Sequence, residues 1–227
     1  MRWPWRASST RPWSDFFAAI GSTSTPRPSV WGLIPLPDNR FVLSVLVGRP
    51  GLRVAVIAAY VLLVEWARAL ASTAPHAATA ALVLGGVALV LSGAGWPLDR
   101  LGIGRSRLAF RILGGCALAV VLLLPAAARA GSAPILPAFL ALPAIVVSIG
   151  EEIAFRGALY AALEDLGGAP VAIIGSTALW TAAHALSHPP EFLFAVAAAG
   201  LLLALWRWAC KDLVGPIVGH VIADLAL

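Results

Sequence analysis

Apolar residues run along this chain in blocks long enough to cross a bilayer, rather than at the alternating or one-faced spacing of a soluble fold. The blocks fall at about 53–70, 77–92, 109–128, 135–163, 170–187, 192–209 and 213–227, each near the ~20 residues a crossing needs except the short last one. Between them lie helix breakers: Ser72-Thr73-Ala74-Pro75, Gly93-Ala94-Gly95-Trp96-Pro97, Gly131-Ser132-Ala133-Pro134, Gly167-Gly168-Ala169-Pro170 and His188-Pro189-Pro190. The pattern predicts an all-α fold, a polytopic transmembrane helical bundle of about seven helices over residues 41–227, with no internal repeat or second domain. The run at 41–47 is too brief to cross and is expected at the interface. Residues 1–40, rich in Pro, Ser, Trp and Arg, predict a disordered or interfacial tail.

Composition agrees with that reading. The chain is 60% hydrophobic and only 12% charged, with a mean hydropathy of +0.89, which excludes an ordinary soluble domain. A net charge of +5 would suit nucleic acid, but the basic residues gather at the ends of apolar blocks, as topology-setting arginines do, so no nucleic-acid partner is expected. Arg2, Arg6, Arg11, Arg27, Arg40, Arg49 and Arg53 precede the first block. Arg100, Arg105, Arg107 and Arg111 lie between the second and third, and Arg207 and Lys211 between the sixth and seventh. Arg68 and Arg129 alone fall on the other side. This parity puts the N-terminus in the cytoplasm, and the Ala- and Arg-rich, Lys-poor composition fits a multi-pass protein of a bacterial inner membrane. Cys116 and Cys210 form no CxxC and read as inert packing residues.

The fourth block holds the chemistry. Glu151, Glu152 and Arg156 interrupt it, and three charges facing lipid would cost about 7–10 kcal/mol, so they must face something polar. Glu152 and Arg156 are i and i+4 and can pair along the helix. Glu151 points about 100° away and is left without that partner; since removal from water raises a carboxylate's pKa, it is the expected general base. Gly150, Ala154, Gly157 and Ala158 would let a neighbouring helix or a peptide approach closely.

Two histidines on later helices are the best partners. Counted at 1.5 Å per residue from the cytoplasmic ends, Glu151 lies roughly 20 Å deep and His184 roughly 21 Å, whereas His220 reaches only roughly 12 Å and needs tilt to join them. Asp224 follows His220 by one turn, and Gly215 with Gly219 forms a GxxxG suited to close packing. The remaining polar positions read as structural: Glu65 with Arg68 as an interfacial pair, His76 and His188 in external loops, and Ser176 outside any GxSG. Pro125, Pro143 and Pro216 are expected to kink or end helices, with Pro143 helping to open the site to water.

Taken together, EExxxR at Glu151, Glu152 and Arg156, the aromatic-xxx-His at Trp180 and His184, and HxxxD at His220 and Asp224 resemble the CPBP family of intramembrane proteases, the CAAX-protease and bacteriocin-processing (Abi) group. The resemblance covers about 98–227, and Trp180 stands where the family usually has Phe. It implies hydrolysis of a peptide bond by water activated at Glu151 and positioned by His184. His220 and Asp224 would stabilise the oxyanion, Glu152 and Arg156 would hold the geometry, and the aromatic would be a packing element. An Asp in the last position must be protonated, or must act by orienting His220.

No cofactor is favoured, there being no HExxH; zinc on Glu151, His184 and His220 is the metal-dependent alternative. The expected partners are the lipid bilayer and a membrane-anchored protein or peptide substrate. The sequence leaves the oligomeric state open. A non-catalytic immunity or scaffold protein binding a peptide in the same cavity is the competing reading, and a proton-coupled transporter is a third that lacks the expected internal repeat.

Overall fold

The structure, a computed structural model, describes residues 48–74, 76–104, 106–127 and 136–226, with backbone alone at 125–127. The expected interfacial tail and the run at 41–47 lie outside these residues. All regular structure among the described residues is helical. In chain order it comprises α1 (Pro50–Ala71), α2 (Ala78–Leu91), α3 (Leu108–Ala127) and α4 (Ala138–Glu151), which continues as a π-helix (Glu152–Leu159) into α5 (Tyr160–Ala183), followed by α6 (Leu193–Cys210) and α7 (Val214–Ala226).

The fourth and fifth expected spans are one helical run, Ala138–Leu186, of 49 residues. Gly167 (φ −153°) and Gly168 (φ +75°) leave helical geometry inside it, and Pro170 starts the rod beyond. The positive φ at Gly168 is one that only glycine adopts freely, so the breaker read from the sequence acts as a hinge between two rods. By length and composition, Pro50–Ala71, Ala138–Leu186 and Pro190–Cys210 can cross a membrane; α2, Leu108–Leu124 and α7 are shorter apolar helices. Helix ends are closed locally. Ser72 and Thr73 cap carbonyls of Ala69 and Leu70, Ser92 caps Leu89, and Asp212 accepts the amides of Val214 (3.0 Å) and Gly215 (2.9 Å) at the start of α7. The prolines break less than expected: α3 runs through Pro125, α4 through Pro143, and Pro216 sits in the first turn of α7, where a missing amide costs nothing.

Burial is inverted relative to a soluble protein. Leu63, Leu84, Phe110, Leu113, Ile174 and Phe194 are exposed, while Glu65, Glu151, Glu152, Arg156, Arg207 and Asp212 are buried. This is the arrangement of a helical membrane bundle. Cys116 and Cys210 are free and exposed on outward faces, which corrects their reading as packing residues.

α4 and its π-helix occupy the middle, in contact with α1, α2, α6 and α7. Glycines set the spacing: a Cβ on Gly150 would collide with the Gly86 carbonyl of α2, and one on Gly219 would stand 2.9 Å from Leu118 Cβ of α3. The GxxxG of α7 packs as its spacing suggested. At one end of the bundle, Asp165 pairs with Arg53 and Arg100, Glu164 with Lys211 (3.4 Å), and Asp212 with Arg111 (3.3 Å). These are ends that the parity count assigned to one side. Arg207 is not a loop charge: it is buried and donates to the carbonyls of Arg156 (3.2 Å) and Arg100 (2.8 Å).

Gly150→Val should overpack the α2–α4 contact and cost about 1–3 kcal/mol. Thermal melting of the detergent-solubilised protein checks this, and an unchanged melting temperature contradicts the packing.

Candidate active site

Glu151 closes the α-helical part of the central rod and Glu152 opens the π-helical part, so their carboxylates address different neighbours. Both are buried, as are Arg156, His184 and His220, none of them more than 9% exposed.

The first cluster gathers on Glu151. Arg68 of α1 donates to Oε1 at 3.1 Å, and Trp180 Nε1 of α5 donates to Oε2 at 2.9 Å. His184 Nε2 stands 3.6 Å from the same Oε2. Arg68 also pairs with Glu65, one turn earlier on α1. His184 Nδ1 lies 2.9 Å from the Trp180 carbonyl, an acceptor only, so Nδ1 carries a proton and Nε2 is the nitrogen that faces Glu151.

The second cluster gathers on Glu152. Its Oε1 accepts from Arg156 Nη1 at 3.1 Å and from His220 Nδ1 at 2.9 Å. Arg156 also donates to the Gly200 carbonyl of α6 at 3.3 Å. On the far side of His220, Nε2 is 3.4 Å from Asp224 Oδ2, which in turn lies 2.7 Å from Ser148 Oγ. Trp180 joins the clusters: the Arg156 guanidinium stacks 4.1 Å from its ring, and the rings of His184 and His220 meet its edge at 4.7 and 5.8 Å. The bare Gly200 of α6 makes room for that indole.

The structure thus brings together the helices carrying Glu151, Glu152, Arg156, His184, His220 and Asp224, and revises several expectations. Glu151 has a cationic partner, Arg68, which sequence reading missed because the two are 83 residues apart. Glu65 and Arg68 are not an interfacial pair, since Glu65 is 1% exposed and Arg68 reaches the centre. Trp180 does more than pack, because its N–H holds the Glu151 carboxylate, a contact phenylalanine cannot make. The depth shortfall of His220 disappears, for counting residues assumes upright rods starting level, whereas side-by-side packing of α4 and α7 brings His220 to Glu152. Ser148 is the other participant missed; nothing local marks a lone serine as the partner of Asp224. His188 does sit in the connection after α5, but its ring lies 5.3 Å from His184 and stacks on Phe192 at 5.1 Å. Burial first, and the nearby His184 second, hold its pKa below the ordinary histidine value, so it is neutral at neutral pH.

The zinc set of Glu151, His184 and His220 does not form a ligand cluster: His220 turns both nitrogens toward other carboxylates, Glu152 and Asp224. Among the described residues no three His, Cys, Asp or Glu side chains are placed to hold a metal ion.

Comparison with known families follows the same residues. Residues 133–226 match the family model of the type II CAAX prenyl endopeptidase, Rce1-like. The match agrees with the resemblance to the CPBP group, and it supports an intramembrane endopeptidase at the level of the family. No curated protein and no solved structure matches the chain significantly. The Rce1-like segment contains both clusters except Glu65 and Arg68, which α1 brings to it from outside.

Arg156→Met would leave Glu152 as a buried carboxylate without its guanidinium, and should destabilise the protein by about 3–5 kcal/mol. Melting in detergent is the check; wild-type stability would contradict the pairing.

Proposed function

We propose that this protein hydrolyses a peptide bond of a prenylated, lipid-anchored or C-terminally membrane-anchored protein or peptide, with Glu151 as general base. The observation that carries the proposal is the facing of Glu151 Oε2 and His184 Nε2 at 3.6 Å. In the scheme His184 acts as the neutral tautomer, with Nδ1–H donated to the Trp180 carbonyl; both facing atoms are then acceptors, and a single water can donate one proton to each. Such a water is aligned, and its oxygen lone pairs point away from both groups toward whatever enters the cavity. Glu151 takes a proton as the oxygen attacks the scissile carbonyl, and later passes it to the leaving amine. His220, positioned by Glu152, is the cationic or donating group for the developing oxyanion. Ser148 Oγ lies 2.7 Å from both the Ala144 carbonyl and Asp224, and has one proton for the two. With that proton on Asp224, the carboxylate is an acceptor and orients His220 from its Nε2 side.

No step in this scheme uses a metal ion. The same reading places the protein in a bacterial inner membrane with its N-terminus cytoplasmic, supported by the arginines and Lys211 gathered at one end of the bundle.

Glu151→Gln, expressed at wild-type level, should lower cleavage of a lipid-anchored, fluorescence-quenched peptide in membranes by at least about 100-fold. A peptide-binding immunity or scaffold protein would keep its phenotype in that variant. Exhaustive chelation should leave the activity intact, and a loss restored by added zinc would overturn the metal-free scheme.

A further inference from the structure

We propose that Glu65 and Arg68 of α1 form a positioning pair that aims the Glu151 carboxylate, so that a helix outside the Rce1-like segment completes the site. The proposal deepens the hydrolytic reading above and rests on it.

Three features fix Arg68. Its Nη2 is shared between Glu65 and Glu151 Oε1. Its stem lies against Gly85 of α2, where a Cβ would come within 2.8 Å of Arg68 Cδ, so α2 leaves a channel that leads the side chain toward α4. Its side chain is only 11% exposed, which keeps water from competing for the guanidinium.

The consequence falls on the two oxygens of Glu151. Oε1 belongs to Arg68, and Oε2 belongs to Trp180 and to the approach of His184. A carboxylate held by one oxygen alone can swing about its terminal bond, a broad torsion. Pinning Oε1 from α1 keeps Oε2 turned to His184, where the attacking water is to be held. Glu65 holds Arg68 in turn, at i and i+3 on the same face of α1. A pair that only neutralised charge would tolerate any cation at position 68. A pair that aims Glu151 requires the donor to sit where Nη2 sits, at the end of the stem held against Gly85, a reach and direction that the flexible lysine stem and its compact ammonium do not reproduce.

Two readouts on the full-length protein test this. In thermal melting in detergent, the losses from Arg68→Gln and Glu151→Gln should be strongly non-additive in the double variant, because one change already removes the contact. Additive losses would overturn the pairing whatever the enzyme's activity. In cleavage of the lipid-anchored, fluorescence-quenched peptide, Arg68→Gln should lower kcat about 100-fold with KM changed less than about threefold. Arg68→Lys should recover only part of that loss, and Glu65→Gln should show a smaller loss in the same direction. Full recovery in Arg68→Lys, or wild-type kcat in Arg68→Gln while Glu151→Gln is inactive, would overturn positioning and leave the protease standing. If Glu151→Gln itself cleaves normally, the hydrolytic reading falls and positioning with it, while non-additive melting would still establish the contact.

Discussion

The constraint on which this structure depends is that the charges of the central rod cannot face hydrocarbon. Each charged residue at a helix centre costs roughly 2.5–3.5 kcal/mol when exposed to lipid, so Glu151, Glu152 and Arg156 are tolerated only because other helices supply matching groups. Arg68 comes from α1, Trp180 from α5, His184 from the 3-10 turn that follows it, the Gly200 carbonyl from α6 and His220 from α7. The bundle is arranged around this requirement. Glycine contacts between α2 and α4, and between α3 and α7, bring backbones close enough for short polar side chains to meet.

The π-helical turn is part of the same solution. π-helical segments inside α-helices occur often at functional sites, and here the change begins between the two glutamates. One carboxylate then serves a cluster bounded by α1 and α5, and the other a cluster bounded by α7, with Trp180 touching both. The wider turn also leaves the Arg156 carbonyl accessible to Arg207, which links it to the Arg100 carbonyl at the basic end of the bundle. The reacting groups therefore sit on rods tied at several points, which is what a site needs to hold a water in line.

Much of this was legible in the sequence because it is local. The apolar blocks and their Gly/Pro separators marked the helices to within a few residues, and the i, i+4 spacing gave the Glu152–Arg156 pair. What could not be read were pairings between distant helices. The Arg68–Glu151 contact spans 83 positions and Ser148–Asp224 spans 76, and no periodicity encodes either. Arg68 was misread because it lies near a helix end, where a basic residue usually meets headgroups; only the Gly85 channel shows it turning inward. His220 was misplaced by treating rise per residue as depth.

The central claim, that α4 and α7 close face to face over the buried carboxylates, is tested most directly by cross-linking. Ser148 Oγ and Asp224 Oδ2 lie 2.7 Å apart. In a background with Cys116 and Cys210 replaced by alanine, the pair Ser148→Cys and Asp224→Cys should form a disulfide in native membranes under mild oxidation, read as a retained link between the halves after proteolytic cleavage of an intervening loop. Thiols that stay reduced at these positions, while a control pair across another helix contact oxidises, would contradict the convergence.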